Sequence, residues 1–208
     1  MRRFSHSEGQ AVAWSVSPDW PVETSRLTLR PFIAADFEAI YAMRSDAEVV
    51  RYLYEEPMSP EEARELLARR IAATAWASEG DWLGAAVVER ASGLTVGDVG
   101  LYWVSERDRT AEVGFTFDPR YQGRGFATEA AGALVDWAFS AAGMHRVIGR
   151  AEARNAASAR VLEKLGMRRE AHLVENEWVK GEWQSEIVYA VLDREWVHRL
   201  DSGSRGVR

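Results

Sequence analysis

One stretch of the chain leaves little conformational freedom: Phe115-Thr116-Phe117-Asp118-Pro119-Arg120-Tyr121-Gln122-Gly123-Arg124-Gly125-Phe126-Ala127-Thr128. A β-prone run stops at Asp118-Pro119, two glycines allow a tight turn, and a helix begins beyond them. From about Gly125 to Ala142 the residues Phe126, Ala130, Leu134, Trp137, Ala138 and Ala141 form one apolar stripe, and Gly143 stops it. The start of a helix leaves about four backbone N–H groups unpaired and carries the positive end of the dipole, so it suits phosphate. Glycine or alanine at 123, 125 and 127 lets an anion come close to the backbone. A glycine bend serving geometry alone is the competing explanation. The stretch matches neither G-x-x-x-x-G-K-[ST] nor G-x-G-x-x-G.

The remaining elements follow from period and punctuation. Arg26-Leu27-Thr28-Leu29-Arg30 alternates as a strand and ends at Pro31. Asp36 opens a helix through Phe37, Ile40, Tyr41 and Met43. A second helix starts on the capping box Ser59-Pro60-Glu61-Glu62 and continues through Ala63, Leu66, Leu67, Ile71 and Ala75 to Gly80. Strands are expected at about 82–90, 94–104 and 110–118. A short strand runs from His145 to Glu152, and a helix capped by Asn155 reaches Leu165. Two final strands, at about 168–179 and 183–192, complete the pattern. The order β-α-α-β-β-β-α-β-α-β-β gives a single α/β (α+β) domain, with a partly antiparallel sheet of about seven strands and about four helices. Residues 1–22 read as an N-terminal arm, 23–198 as the domain and 199–208 as a disordered tail.

Composition narrows the chemistry. Apolar residues make up 47% and charged residues 28%, an ordinary soluble balance. The absence of cysteine excludes disulfides, thiolate zinc sites, iron–sulfur clusters and a cysteine nucleophile. A net charge of −6 speaks against nucleic acid as a partner. No apolar run approaches the roughly 18 residues of a membrane span. Arg2 and Arg3 precede only a broken apolar stretch, so the expected location is cytoplasmic. His6, His145, His172 and His198 are dispersed without ligand spacing, and no metal site is expected. Ser5, Ser15 and Ser59 have no His/Asp framework around them. The nine tryptophans form no repeat and read mostly as core or pocket wall.

The Gln122-x-x-Gly125-x-Ala127 turn resembles the acyl-coenzyme-A-binding signature of the GNAT N-acetyltransferase superfamily. Asn155-Ala156-Ala157-Ser158 and Val161-Leu162-Glu163-Lys164-Leu165-Gly166-Met167 resemble the helix after that family's fifth strand. Leu27-Thr28-Leu29-Arg30-Pro31, and the run from Asn176 to Trp183, are similar to the RimJ/RimL branch, the ribosomal-protein-alanine acetyltransferases, which acetylate protein N-termini and other amines.

The resemblance, covering about residues 23 to 196, implies a sheet splayed between its fourth and fifth strands, here 110–118 and 145–152. It implies acetyl-CoA as co-substrate and no metal. The pantetheine arm would pair along Phe115, Thr116 and Phe117. The pyrophosphate would sit beyond Gln122 on the amides of Gly123, Arg124, Gly125, Phe126, Ala127 and Thr128, with Asn155 facing the pantetheine while also capping its helix. An amine acceptor would attack directly in a ternary complex. Glu177 matches the base of RimL-like enzymes. Glu112, on the face opposite Val113, Phe115 and Phe117, is the rival base. Leu162 stands where many relatives carry a tyrosine that protonates the leaving thiolate, which leaves Ser158 as donor. The acceptor would be a protein N-terminus or another primary amine, alternatively a polyamine or aminoglycoside-like amine; a catalytically silent acyl-CoA sensor is the other class. Its site would be shaped by the two N-terminal helices, the loop Tyr52 to Pro57, with Glu55 and Glu56 offered to a cation, and the segment 173–183. The aromatic last strands suit a homodimer.

Overall fold

The computed structural model describes residues 15–196. Eight strands form one sheet: β1 (Val22–Glu23), β2 (Leu27–Arg30), β3 (Trp82–Glu89), β4 (Thr95–Ser105), β5 (Thr110–Phe117), β6 (Arg146–Glu152), β7 (Arg168–Val179) and β8 (Glu182–Leu192). The helices are α1 (Phe37–Arg44), α2 (Ala47–Val50), α3 (Pro60–Ala72), α4 (Phe126–Ser140) and α5 (Ala156–Lys164). The spatial order is β1-β2-β3-β4-β5-β6-β8-β7, with β5 and β6 as the parallel pair. The two elements beyond expectation are two and four residues long. β1 is too short for a period to show, and α2 starts on Asp46, whose carboxylate accepts the Glu48 amide.

Residues 1–14 and the tail 199–208 lie outside the described residues. Of the remaining arm, Val16 exchanges two backbone hydrogen bonds with Trp76 at 2.8 and 2.9 Å, and Val22 joins the sheet. Among the tryptophans, Trp76, Trp103, Trp137 and Trp196 are buried, whereas Trp178 and Trp183 stand 61% and 57% exposed on the last hairpin.

Strand alternation divides the sheet into two faces. One carries Leu83, Ala85, Val99, Leu101, Val113, Val147 and Tyr189, packed against Phe126, Ala130 and Leu134 of α4. The other carries an apolar cluster near its β3 side, where Ala86 packs with Phe32, Ile40, Met43 and Leu67 beneath α1 and α3. Farther along that second face, Glu112, Arg150 and Glu186 stand among the apolar residues Ile148 and Ala190.

The feature that positions the site is a break in the ladder. β5 pairs with β6 only through Thr110↔Arg146, Ala111↔Val147 and Glu112↔Ile148. Beyond Glu112 the two strands diverge, although β5 stays paired with β4 through Phe117 and β6 with β8 through Glu152. Val113–Phe117 therefore presents a free ladder edge toward the gap. A buried backbone edge needs a partner.

Candidate active site

The gap opens into a cavity of about 490 Å³. At one end lies the glycine turn. Asp118 caps the short turn Pro119–Tyr121 by accepting from the Arg120 amide, and the Gln122 carboxamide donates to the Phe117 carbonyl at 3.0 Å. Gly125 is the N-cap of α4 at φ +82°, where an L side chain is strained, and no side chain caps this helix. Glu129, in the first turn, is engaged elsewhere: it accepts from Thr24, Ser25 and Arg26 and ties the β1–β2 turn to the helix. The first amides of α4 are thus left for a ligand.

Phe115, Thr116, Phe117, Gln122, Gly123 and the run Gly125 to Thr128 line the cavity on this side. Asn155 and Ser158 line it from α5, where the Asn155 carboxamide oxygen also accepts the Ser158 amide at 3.0 Å. Arg124 is the exception among the expected ligand residues and is absent from the lining. Its guanidinium turns to Glu89 at 3.5 Å and over the Tyr121 ring. Tyr52 and Leu53, expected as part of the acceptor loop, also line the cavity, whereas sequence reasoning missed Glu48, and Arg160 and Lys164 on α5. The two cations sit four residues apart on one helix face, a spacing that was available as a signal.

On the second face of the sheet, four elements bring another set of groups together. Glu112 is the last β5 residue laddered to β6, so it stands at the vertex of the gap. Arg150 follows on β6, with its Nε 3.3 Å from Glu112 Oε2 and its Nη1 3.7 Å from Glu186 Oε1 of β8. Glu177 lies on the same face, and two extra residues that bulge out of β7 between Leu173 and Glu177 set it opposite Gln184, two residues from Glu186. The Tyr54 hydroxyl donates to Glu177 Oε2 at 2.7 Å.

Burial raises the Glu112 carboxyl above its ordinary range; Arg150 opposes the shift, and the charges of Glu186 and Glu177 add to it. Glu186 is raised for the same first reason, opposed by Arg150 and reinforced by Glu177. Burial and the bond to Glu177 push the Tyr54 phenol far up, so it is a donor throughout the neutral range. Arg150 and Glu186 were not foreseen, and Tyr54 was foreseen only as part of a loop. Glu55 and Glu56 are exposed. Leu162 is buried against Gly149 and offers no proton. His145 pairs with Asp193, while His6 and His198 lie outside the described residues. Among the described residues, no group of three or more His, Asp or Glu is arranged to hold a metal ion, and no helix is long and apolar enough to cross a membrane.

A split parallel pair opening on an uncapped helix start is a specific arrangement, and the chain that forms it has known relatives. The family model described as Acetyltransferase (GNAT) domain matches residues 26–168. The chain belongs to this GNAT acetyltransferase family. The uncharacterized N-acetyltransferase YnaD of Bacillus subtilis is 31% identical over 176 residues, which cover 84% of this chain and 98% of that one. A GNAT-family acetyltransferase structure from Bacillus anthracis superposes with a TM-score of 0.77 at 30% identity, covering 84% and 99% of the two chains. The spermidine N-acetyltransferase of Vibrio cholerae, solved with CoA and spermine, gives a TM-score of 0.71 at 25% identity, covering 84% and 99%.

This GNAT chain is therefore an acetyl-CoA-dependent N-acetyltransferase, with acetyl-CoA as co-substrate. The free β5 edge, the uncapped amides of α4 and the open space around Gly123, where a Cβ would meet nothing within 4 Å, fit an extended thioester arm and its pyrophosphate.

Proposed function

We propose that the enzyme acetylates a primary amine on a small cationic acceptor, by direct attack within a ternary complex. The observation that carries this reading is the acidic cluster at the vertex of the split strands: Glu112 and Glu186 share one guanidinium, Arg150, and the charge of Glu177 acts on both carboxyls. Two negative charges remain uncompensated there, which favours an acceptor with several positive charges. The spermidine-acetylating relative from Vibrio cholerae is in keeping with this choice. A protein N-terminus, the acceptor of the RimJ/RimL-like branch, brings the same nucleophile and a single ammonium.

Bound acetyl-CoA supplies the thioester carbon and a thiolate leaving group. Phe115, Thr116 and Phe117 hold its arm along the β5 edge, and the amides from Gly123 to Thr128, with Arg160 and Lys164 nearby, hold its phosphates. An ammonium cannot attack, so a base takes its proton first. Glu112 suits this role because it stands at the vertex, and burial raises its carboxyl toward neutral pH, where a base works best. Glu177, with one oxygen occupied by Tyr54, orients the acceptor. Ser158 donates to the departing thiolate.

Release of free thiol, followed across a panel of amines, tests the reading. Glu112→Gln should lower turnover by roughly 10²-fold, within the range of general base catalysis, with CoA affinity near normal. Because the Glu112 carboxyl is raised, the wild-type rate should climb with pH through a midpoint above the ordinary glutamate value, and the variant should lose that limb. Glu177→Gln should act mainly on the KM of the amine. The reverse pattern, an active Glu112→Gln and a crippled Glu177→Gln, assigns the base to Glu177.

A further inference from the structure

Glu186 is 6% exposed, and its Oε1 receives no hydrogen bond from any described residue. A buried carboxylate left in that condition is costly, and such groups are ordinarily satisfied by close partners. The neighbouring cation, Arg150, stays 3.7 Å away, outside hydrogen-bond range. Elsewhere the same chain builds tight buried pairs. Arg30 grips Asp36 through two bonds of 2.8 Å, and Arg44 and Arg70 converge on Asp98 at 3.1 and 3.0 Å. Arg150 instead divides one guanidinium between Glu112 and Glu186, and its side chain is 43% exposed. The pair is loose where the fold has shown that it can make tight ones.

We propose that Arg150 is a displaceable counter-ion, and that Glu186 is the receptor for a second positive charge on the acceptor. The inference rests on the acetylation reading above and specifies which acceptors it favours. Arg150 stands between Glu112 and Glu186 and offsets part of the cluster's charge. A diammonium acceptor places one nitrogen near Glu112, where it is acetylated. Its other ammonium takes over Oε1 of Glu186 while Arg150 turns out to water. A monoamine replaces one contact and leaves the other carboxylate uncovered, so it does not release the latch. Specificity for dications thus comes from an internal competitor as much as from the attractive site.

Calorimetry with CoA present, using short α,ω-diamines and monoamines of the same carbon chain, tests this without depending on turnover. Wild type should bind the diamine more tightly. Arg150→Gln removes the competitor, and for a latch closed nine-tenths of the time the diamine should then bind about tenfold more tightly. Arg150→Lys should fall between the two. Glu186→Gln, which keeps shape, should lower the diamine-to-monoamine affinity ratio by about tenfold or more. The subsite is overturned if wild type does not prefer the diamine, if Arg150→Gln binds it no better or worse, or if Glu186→Gln weakens both amines equally alongside a lower melting temperature. Thiol release measured on the same proteins separates the two readings. Diamine binding that responds to both variants without acetylation overturns the functional reading and keeps the subsite. Acetylation with no response to Arg150→Gln does the opposite.

Discussion

Helices α3 and α4 both start after a turn on the way out of an extended segment, yet they finish their first turns in opposite ways. At α3 the chain completes the start by itself. Ser59 Oγ accepts from the Glu62 amide, the Glu62 carboxylate accepts from the Ser59 amide at 2.7 Å, and Pro60 needs no partner for its nitrogen. At α4 the N-cap is Gly125, with no side chain, and Glu129 is drawn away to the β1–β2 turn. The first start is closed, and the second is left open beside a cavity. The start of α5 lies between them: Asn155 covers one amide, while the Ser158 side chain still lines the cavity. Helix starts are therefore not equivalent anion sites. What distinguishes α4 is that the chain withholds the cap where it could have supplied one.

The sharpest way to break this contrast is to obstruct the open start. Gly125→Val places a β-branched side chain at φ +82°, with its Cβ 3.4 Å from Arg26 Nη2, where Arg26 is held by Glu129. CoA affinity should fall by at least tenfold, about 1.4 kcal/mol. Titration calorimetry on the folded variant checks it, and unchanged affinity would move the phosphates away from α4.

The intermediate start, α5, calls for a smaller effect. Ser158→Ala leaves the Asn155 cap in place, because that cap uses the Ser158 amide. If the hydroxyl donates to the leaving thiolate, the maximal rate should fall about tenfold, with CoA affinity retained; the loss stays modest because the helix dipole still favours an anion there. Single-turnover rates per folded molecule test it. A lower melting temperature with an unchanged rate makes the hydroxyl a structural group.

The elements that sequence reasoning located well are those whose signal is local. The capping box at Ser59, the glycine turn at 123–125 and the Asn155 cap each lie within four residues of the groups they serve. The alternation that sends Glu112 opposite Val113 is equally local. What stayed hidden depends on contacts across the fold. The Arg124 guanidinium is claimed by Glu89 of β3, 35 residues away, which leaves its amide as the group offered to a phosphate. Glu186 looks like any polar strand residue. It meets Arg150 only through the register that pairs Glu152 with Glu186 across β6 and β8. Glu177 is drawn level with Gln184 by a bulge that no period in the sequence announces. The cofactor end of the site is built mostly from the run 115–128, with α5 contributing Asn155 and Ser158, and each of these segments carries a local signal. The acceptor end is built from four separate elements, and of these the sequence offered Glu112, Glu177 and the Tyr54 loop but neither Arg150 nor Glu186.

The closed helix start supplies the control for the open one, with the smallest effect of the series. Ser59→Ala removes the hydroxyl that accepts from the Glu62 amide, and it loosens the reciprocal bond that holds the Glu62 carboxylate on Ser59. That bond keeps the Glu62 carboxyl below its ordinary range. Loss of a serine cap costs about 1 kcal/mol of stability. Since α3 packs through Leu67 against Phe32, Ile40 and Met43 and contributes no residue to the cavity, the cost should appear in the denaturant midpoint alone. CoA affinity and maximal rate should match wild type. A variant that lost CoA affinity in proportion to stability would show that α3 and α4 are coupled, and that the open start depends on the closed one.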